Sequence, residues 1–132
     1  MGDPSGVGPE VIAKSLMSDR IPDCHFVVIG SASELNKAIS MIGSSYEVES
    51  ISSLDEQNQA WQFQNKKQSI SVLNPMGIEI DDLGYGRISK EAGKASIEWV
   101  LEAARLASNK KVDAIVTGPI HKEACVLAGY KD

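Results

Sequence analysis

Apolar positions along the chain keep two rhythms, one near 3.6 residues and one of short unbroken or alternating runs, and the rhythms take turns. Turn formers fill Gly2-Asp3-Pro4-Ser5-Gly6-Val7-Gly8, and a helical pattern starts at Pro9-Glu10 and runs through Val11, Ile12, Ser15 and Leu16. Proline lacks only a donor that the first helical turn would orphan, and an acid there complements the dipole. Ile21-Pro22-Asp23 breaks the pattern. HFVVIG (25–30) is a short apolar run closed by glycine, which predicts a buried strand. Ser31-Ala32-Ser33-Glu34 fits a capping box. Leu35, Ala38, Ile39 and Ile42 then form one stripe, with Gly43 placed to end the helix.

YEVESI (46–51) alternates and predicts a strand. Ser53-Leu54-Asp55-Glu56 fits another capping box, opening a short helix or an irregular polar stretch. SISVLNP (69–75) predicts a strand closed by an Asn-Pro turn, and 76–87 a long loop. A helix follows over 89–108, with Gly93, Ile97, Val100, Leu101 and Ala104 on one face. Ala92, Gly93, Ala95 and Ser96 keep its first half thin enough for close packing. VDAIVTGP (112–119) predicts a strand and turn, and 120–128 a helix ended by Gly129. Helices alternating with short apolar strands imply an α/β fold with a mostly parallel sheet. No internal repeat or low-complexity linker interrupts it.

Composition narrows the functional classes. The chain has 132 residues, 42% of them hydrophobic, enough for one domain with a core. A formal net charge of −5 weighs against a general nucleic-acid binder, which needs a basic face. A small anionic substrate remains compatible through local donors. No apolar run approaches the roughly 18 residues of a membrane span, and no leader pattern precedes Gly2. Cys24 and Cys125 stand far apart and in no metal spacing, which predicts reduced thiols in a cytoplasmic protein, with a disulfide or reactive thiol as the alternative.

Sheets of this class hold ligands at the carboxyl ends of their strands. Two turns rich in Gly and Pro lead into helices there: the opening turn, and Thr117-Gly118-Pro119. Gly6 and Gly8 match two glycines of G-x-G-x-x-G, but Val11 stands at the third. Without Gly-Lys-Ser/Thr, the turn is no P-loop. It is either a generic anion site at a helix N-terminus or a purely structural turn. Asp3 is a general base, a ligand orienter or a local Asx-turn residue. His121 and Lys122 are expected in the first turn of the last helix. A cation there opposes the dipole, so Lys122 is better explained by an anionic ligand, a phosphate or carboxylate. His121 is an acid–base group or donor, or an ordinary exposed histidine.

Other positions carry less. His25 is expected to cap or pack, Asp81 and Asp82 to sit in a solvated loop, and Trp61 and Trp99 in core or interface. Residues 65–67 form a polar turn. Two histidines do not assemble a metal site, and no Gly-x-Ser-x-Gly elbow or Cys/His nucleophile pair is present.

MGDPSGVGPEVIAKSL and DAIVTGPIHKEACVLAG resemble two signatures of the NAD-dependent 4-hydroxythreonine-4-phosphate dehydrogenases of vitamin B6 biosynthesis. GRISKEAGKASIEWVLEAARLA is similar to the family segment between them. The likeness runs over the whole chain, and the conjunction of motifs is specific. It implies a three-layer α/β/α domain like those of isocitrate and isopropylmalate dehydrogenases, in which two domains enclose a cleft. It implies NAD-linked oxidation of a secondary alcohol on a phosphorylated hydroxy acid, followed by decarboxylation. A divalent metal (Zn, Mg or Co) then acts as Lewis acid. It also implies a homodimer with active sites at the subunit interface, and no nucleic-acid or membrane partner. Relatives with these motifs act on 4-phosphorylated threonate or erythronate, or on aromatic dihydrodiols.

Family chains are much longer. They continue into Gly-His-Thr-Glu, and their metal-binding histidines and most NAD contacts lie further on. They also carry an apolar strand ahead of Gly-Asp-Pro. The resemblance therefore casts this chain as an N-terminal part, mostly one domain, that lacks the second domain and does not turn over substrate alone. The implied substrate-binding residues are Gly2, Asp3 and Gly6 on one wall and Thr117, Gly118 and Lys122 on another. Asp3, His121 and Lys122 are the catalytic candidates. No metal ligand or NAD contact is assigned within the chain. The alternatives are a phosphate acetyltransferase-like acyltransferase and a non-catalytic phosphate-binding or dimerisation module.

Overall fold

The computed structural model describes residues 1–21, 24–54, 68–75, 77, 80 and 83–131. Its elements are α1 (Gly8–Leu16), β1 (Val28–Ile29), α2 (Ala32–Met41), β2 (Glu47–Ile51), β3 (Ser69–Leu73), α3 (Lys90–Ser108) and α4 (Lys122–Leu127). Among the described residues the sheet has three parallel strands in the order β1-β3-β2. β3 is central, and all five of its residues are buried. The two-residue period of a strand splits them between faces. Ile70 and Val72 meet Ala13 of α1 and Leu35, Ala38 and Ile39 of α2. Leu73 points the other way, with Ile51, toward Leu106 of α3. Helices on both faces of a parallel sheet make the expected three-layer α/β/α arrangement.

Local chemistry explains where the helices begin and end. Ser31 Oγ accepts from Glu34 N at 3.3 Å. The expected capping box closes only by half, because the Glu34 carboxylate turns to Lys37 Nζ at 2.8 Å instead. Gly43 takes φ +68 just past α2, where a side chain would be strained. Ser89 caps α3 by accepting from Ala92 N at 3.1 Å. Beyond α4, Tyr130 N donates to Cys125 O and Gly129 N to Val126 O, with Gly129 at φ +94. This is the paired Schellman closure of a helix C-terminus.

Four sequence expectations need correction. The run 25–30 contributes only Val28 and Ile29 to the ladder, opposite Val72 and Leu73, with Gly30 N adding a bond to Leu73 O at 3.0 Å. The buried face of α3 is Ala92, Gly93, Ala95, Ser96, Trp99 and Leu106, whereas Leu101 is 55% exposed and Ala104 is exposed. Trp99 sets this rotation. Its indole packs with Ile80 and Ala95. Burying so large a ring outweighs presenting the aliphatic row at 97, 101 and 104.

The third correction concerns 112–119. Among the described residues this segment joins no ladder, and Val116 is 94% exposed. Its β-branched composition is right for a strand, but a strand exists only with a neighbour to pair with. Fourth, α4 begins at Lys122, so His121 is its N-cap rather than a first-turn residue. Asp55 and Glu56 of the second capping box, Trp61, 65–67 and Asp81 and Asp82 lie outside the described residues. Cys24 is exposed, Cys125 buried, and they are not bonded to each other.

Candidate functional site

The opening turn is built by side-chain-to-backbone bonding and then locked by a second turn. The Asp3 carboxylate accepts from Ser5 N at 2.9 Å, and Asp3 O accepts from Gly6 N at 3.1 Å. Asp3 is 8% exposed. The Ser5 bond closes an Asx turn at Asp3. Asp3 N donates to Pro119 O at 2.8 Å. The Gly/Pro turns at the two ends of the chain are thus bonded directly to each other.

Glycine is required at that junction. Gly2 sits at φ +83, and a Cβ there would run into the carbonyl group of Pro119 and the backbone of Gly118. A Cβ on Gly118 would meet the Met1 carbonyl, as would one on Gly8. Three glycines let three backbones converge. Met1 N donates to Ile29 O at 2.7 Å.

α1 starts without a side-chain cap, since Val7 occupies the cap position. Its first-turn N–H groups therefore lack the usual side-chain acceptor. Thr117, His121 and Lys122 are exposed around the same junction, while Gly118 is half-buried and Gly6 lies on the opening turn. His121 makes no side-chain cap bond to α4. The structure thus brings Gly2, Asp3 and Gly118 into one contact, and Thr117, His121 and Lys122, its neighbours in the chain, are exposed. His25 is exposed and belongs to no such grouping. Among the described residues no three of His, Cys, Asp and Glu converge to hold a metal ion. Nor is any described helix long and apolar enough to cross a membrane.

Sequence reasoning missed the third component of the site. Gly86 N donates to Ser5 O at 2.7 Å, so the loop 83–86 is strapped to the opening turn. Gly84 and Gly86 take φ +69 and +70 on either side of Tyr85, which is 55% exposed. The Gly-Tyr-Gly spacing was the available signal. It reads as a bare loop until the fold places it against Ser5.

Comparison with known proteins places the chain in a family. Residues 22–132 match the family model described as pyridoxal phosphate biosynthetic protein PdxA. The chain is 35% identical to the D-threonate 4-phosphate dehydrogenase of Cupriavidus necator, over 99% of this chain and 38% of the relative. Among solved structures it is similar to a 4-hydroxythreonine-4-phosphate dehydrogenase from Burkholderia phymatum, with a TM-score of 0.86 and 34% identity. That match covers 98% of this chain and 38% of the other. The 4-hydroxythreonine-4-phosphate dehydrogenase of Klebsiella pneumoniae gives a TM-score of 0.76 at 30% identity, over 98% and 38% of the two chains. The chain therefore spans less than half the length of these relatives.

Proposed function

Because the chain belongs to the family of the pyridoxal phosphate biosynthetic protein PdxA, we propose that it supplies one wall of the substrate cleft of a dehydrogenase acting on a 4-phosphorylated hydroxy acid. 4-Phosphohydroxy-L-threonine and D-threonate 4-phosphate are the two substrates that the relatives' names suggest. The observation that carries the reading is the bonded pair of turns, Asp3 N to Pro119 O, beside an exposed Lys122. Oxidoreductases among the relatives favour oxidation over the acyltransfer alternative.

In this reading the glycine junction holds the cleft wall rigid, and Asp3 keeps the opening turn in shape through Ser5 N. Lys122 stands at the start of a helix, where its charge opposes the dipole, and it offsets that cost by meeting a phosphate or carboxylate oxygen. Thr117, next to Gly118 in the chain, supplies a hydroxyl, and His121 an imidazole as an acid–base group or donor. NAD would supply the acceptor for the hydride of the secondary alcohol, held by residues beyond those assigned here. Among the described residues no His, Cys, Asp and Glu cluster forms a metal centre. The homodimer and a cytoplasmic location belong to the same proposal.

A chimera tests it. This chain replaces the matching 38% of the Cupriavidus necator relative, and NAD reduction is followed with both 4-phosphorylated acids. Turnover with either is expected; a folded, fully inactive chimera would count against the reading. Lys122→Ala in an active chimera should raise KM for the acid about tenfold or more, the worth of one charge-assisted bond. Unchanged KM and kcat would remove Lys122 from the site.

A further inference from the structure

β1 lies at the edge of the sheet, which runs β1-β3-β2. Val28 joins the core of Ile70 and Val72 on one face, and Ile29 packs toward Leu73 and Trp99 on the other. Both faces of β1 are covered, yet among the described residues no strand pairs with its outer edge. Gly30 N turns inward and donates to Leu73 O at 3.0 Å. The Ile29 carbonyl, one residue back, turns outward and accepts from Met1 N at 2.7 Å. Backbone groups on such an edge are a template for another strand.

The segment 112–117 is a second open edge. It is β-branched and extended, with Ile115 and Val116 exposed by 42% and 94%. Val112 nonetheless packs against the same cluster as Val27 and Ile29. Residues 1–3 show how the two edges stand. Met1 N is bonded to Ile29 O, the Met1 carbonyl abuts Gly118, and Asp3 N is bonded to Pro119 O. One line of chain touches both flanks. Neighbouring strands lie about 4.8 Å apart, so flanks bridged by a single chain stand about 9–10 Å apart, room for one strand. Residues 1–3 occupy that space only at the carboxyl ends of β1 and 112–117.

The surroundings select the occupant. Met1 packs against a core cluster on each face of the sheet, so a strand in its line meets apolar side chains on both sides. Such a strand is a continuous apolar run rather than an alternating one. The three paired strands are all parallel, which sets its direction. A second copy of this chain fits poorly. Its own open segment carries Asp113, whose charge would be costly to bury, and is tied to Asp3 through Pro119.

We propose that the slot between β1 and 112–117 accepts an apolar β-strand of about six residues from a second polypeptide, parallel to β1 and hydrogen-bonded to both edges. The slot stands on these bonds and open edges, apart from the dehydrogenase reading.

Amide hydrogen exchange of the 132-residue chain, followed by NMR with the end-capped peptide Lys-Val-Ile-Val-Ile-Val-Lys, tests the proposal. Saturable binding should slow exchange at Ile29 and within 113–117 together, by about tenfold or more. The same peptide with proline at its centre lacks a ladder donor and should bind about tenfold more weakly. Slowing at Ile29 alone would mean that the peptide extends one edge and that no slot exists. No slowing, or equal binding of the proline peptide, would also overturn the proposal. Slowing within 113–117 that grows with protein concentration, without peptide, would give the slot to a second copy and overturn it too. None of these outcomes depends on turnover by the chimera, so the slot and the dehydrogenase reading fail separately.

Discussion

The turn at Met1–Pro9 and the segment at 112–121 carry related sequence: a β-branched residue or more, glycine and proline beside a helix start. They fold very differently. Gly2, Asp3, Pro4 and Ser5 are all buried, whereas Ile115, Val116 and Ile120 are 42%, 94% and 44% exposed. A turn closes through bonds between near neighbours, such as Asp3 to Ser5, and needs little else. A strand needs a partner from elsewhere in the fold, and among the described residues 112–117 has none. The segment is therefore held at its ends and not along its length. At one end Pro119 accepts from Asp3 N, and beyond that α4 rests on Gly93, where a Cβ would strike the backbone of Ala124.

The largest test of this contrast is Gly2→Ala. It adds a Cβ at a left-handed position against the Pro119 carbonyl, and should cost about 3 kcal/mol in urea unfolding. A loss below about 1 kcal/mol would mean that the junction is looser than its geometry. Asp3→Ala strips Ser5 N of its buried acceptor and should cost about 1–2 kcal/mol, with Asp3→Asn retaining most of the stability.

A smaller effect comes from pH. The hydrogen bond to Glu98 (2.7 Å) holds the Tyr130 phenol above its ordinary value of 10. A raised folded-state value means that the contribution is present below pH 10 and lost as pH rises through the folded value. Solvent screens this pair, so Tyr130→Phe should cost about 0.5 kcal/mol near neutral pH and nothing in strong alkali. A variant that lost as much stability at high pH as at neutral would break the assignment. Smallest of all, Val116→Ser should stay within about 0.5 kcal/mol of the parent in thermal melts. A large loss would show that the exposed segment is packed after all.

Legibility followed the range of the forces involved. Ser31 as a cap, Gly43 and Gly129 as helix ends, and SISVL as a strand were readable, because their chemistry closes within a few residues. The face of α3 was not: the rotation depends on Trp99 finding Ile80 and the sheet. The site was half legible. The glycines and Lys122 announce themselves by position, but the Asp3–Pro119 bond and the Gly86–Ser5 strap join residues remote in sequence. The Asx turn at Asp3 was one of three readings of the sequence, and it shows only through Ser5 N on the carboxylate.

The Tyr130 bond has one more consequence. A protease finding the open chain at 112–117 would separate α4 covalently from everything before it. Yet the cut piece would still hold α3 by the seam at Gly93, the Tyr130 hydroxyl on Glu98, and the Pro119 carbonyl on Asp3. A nicked molecule should therefore travel as one particle through a sizing column and fall apart only on a denaturing gel.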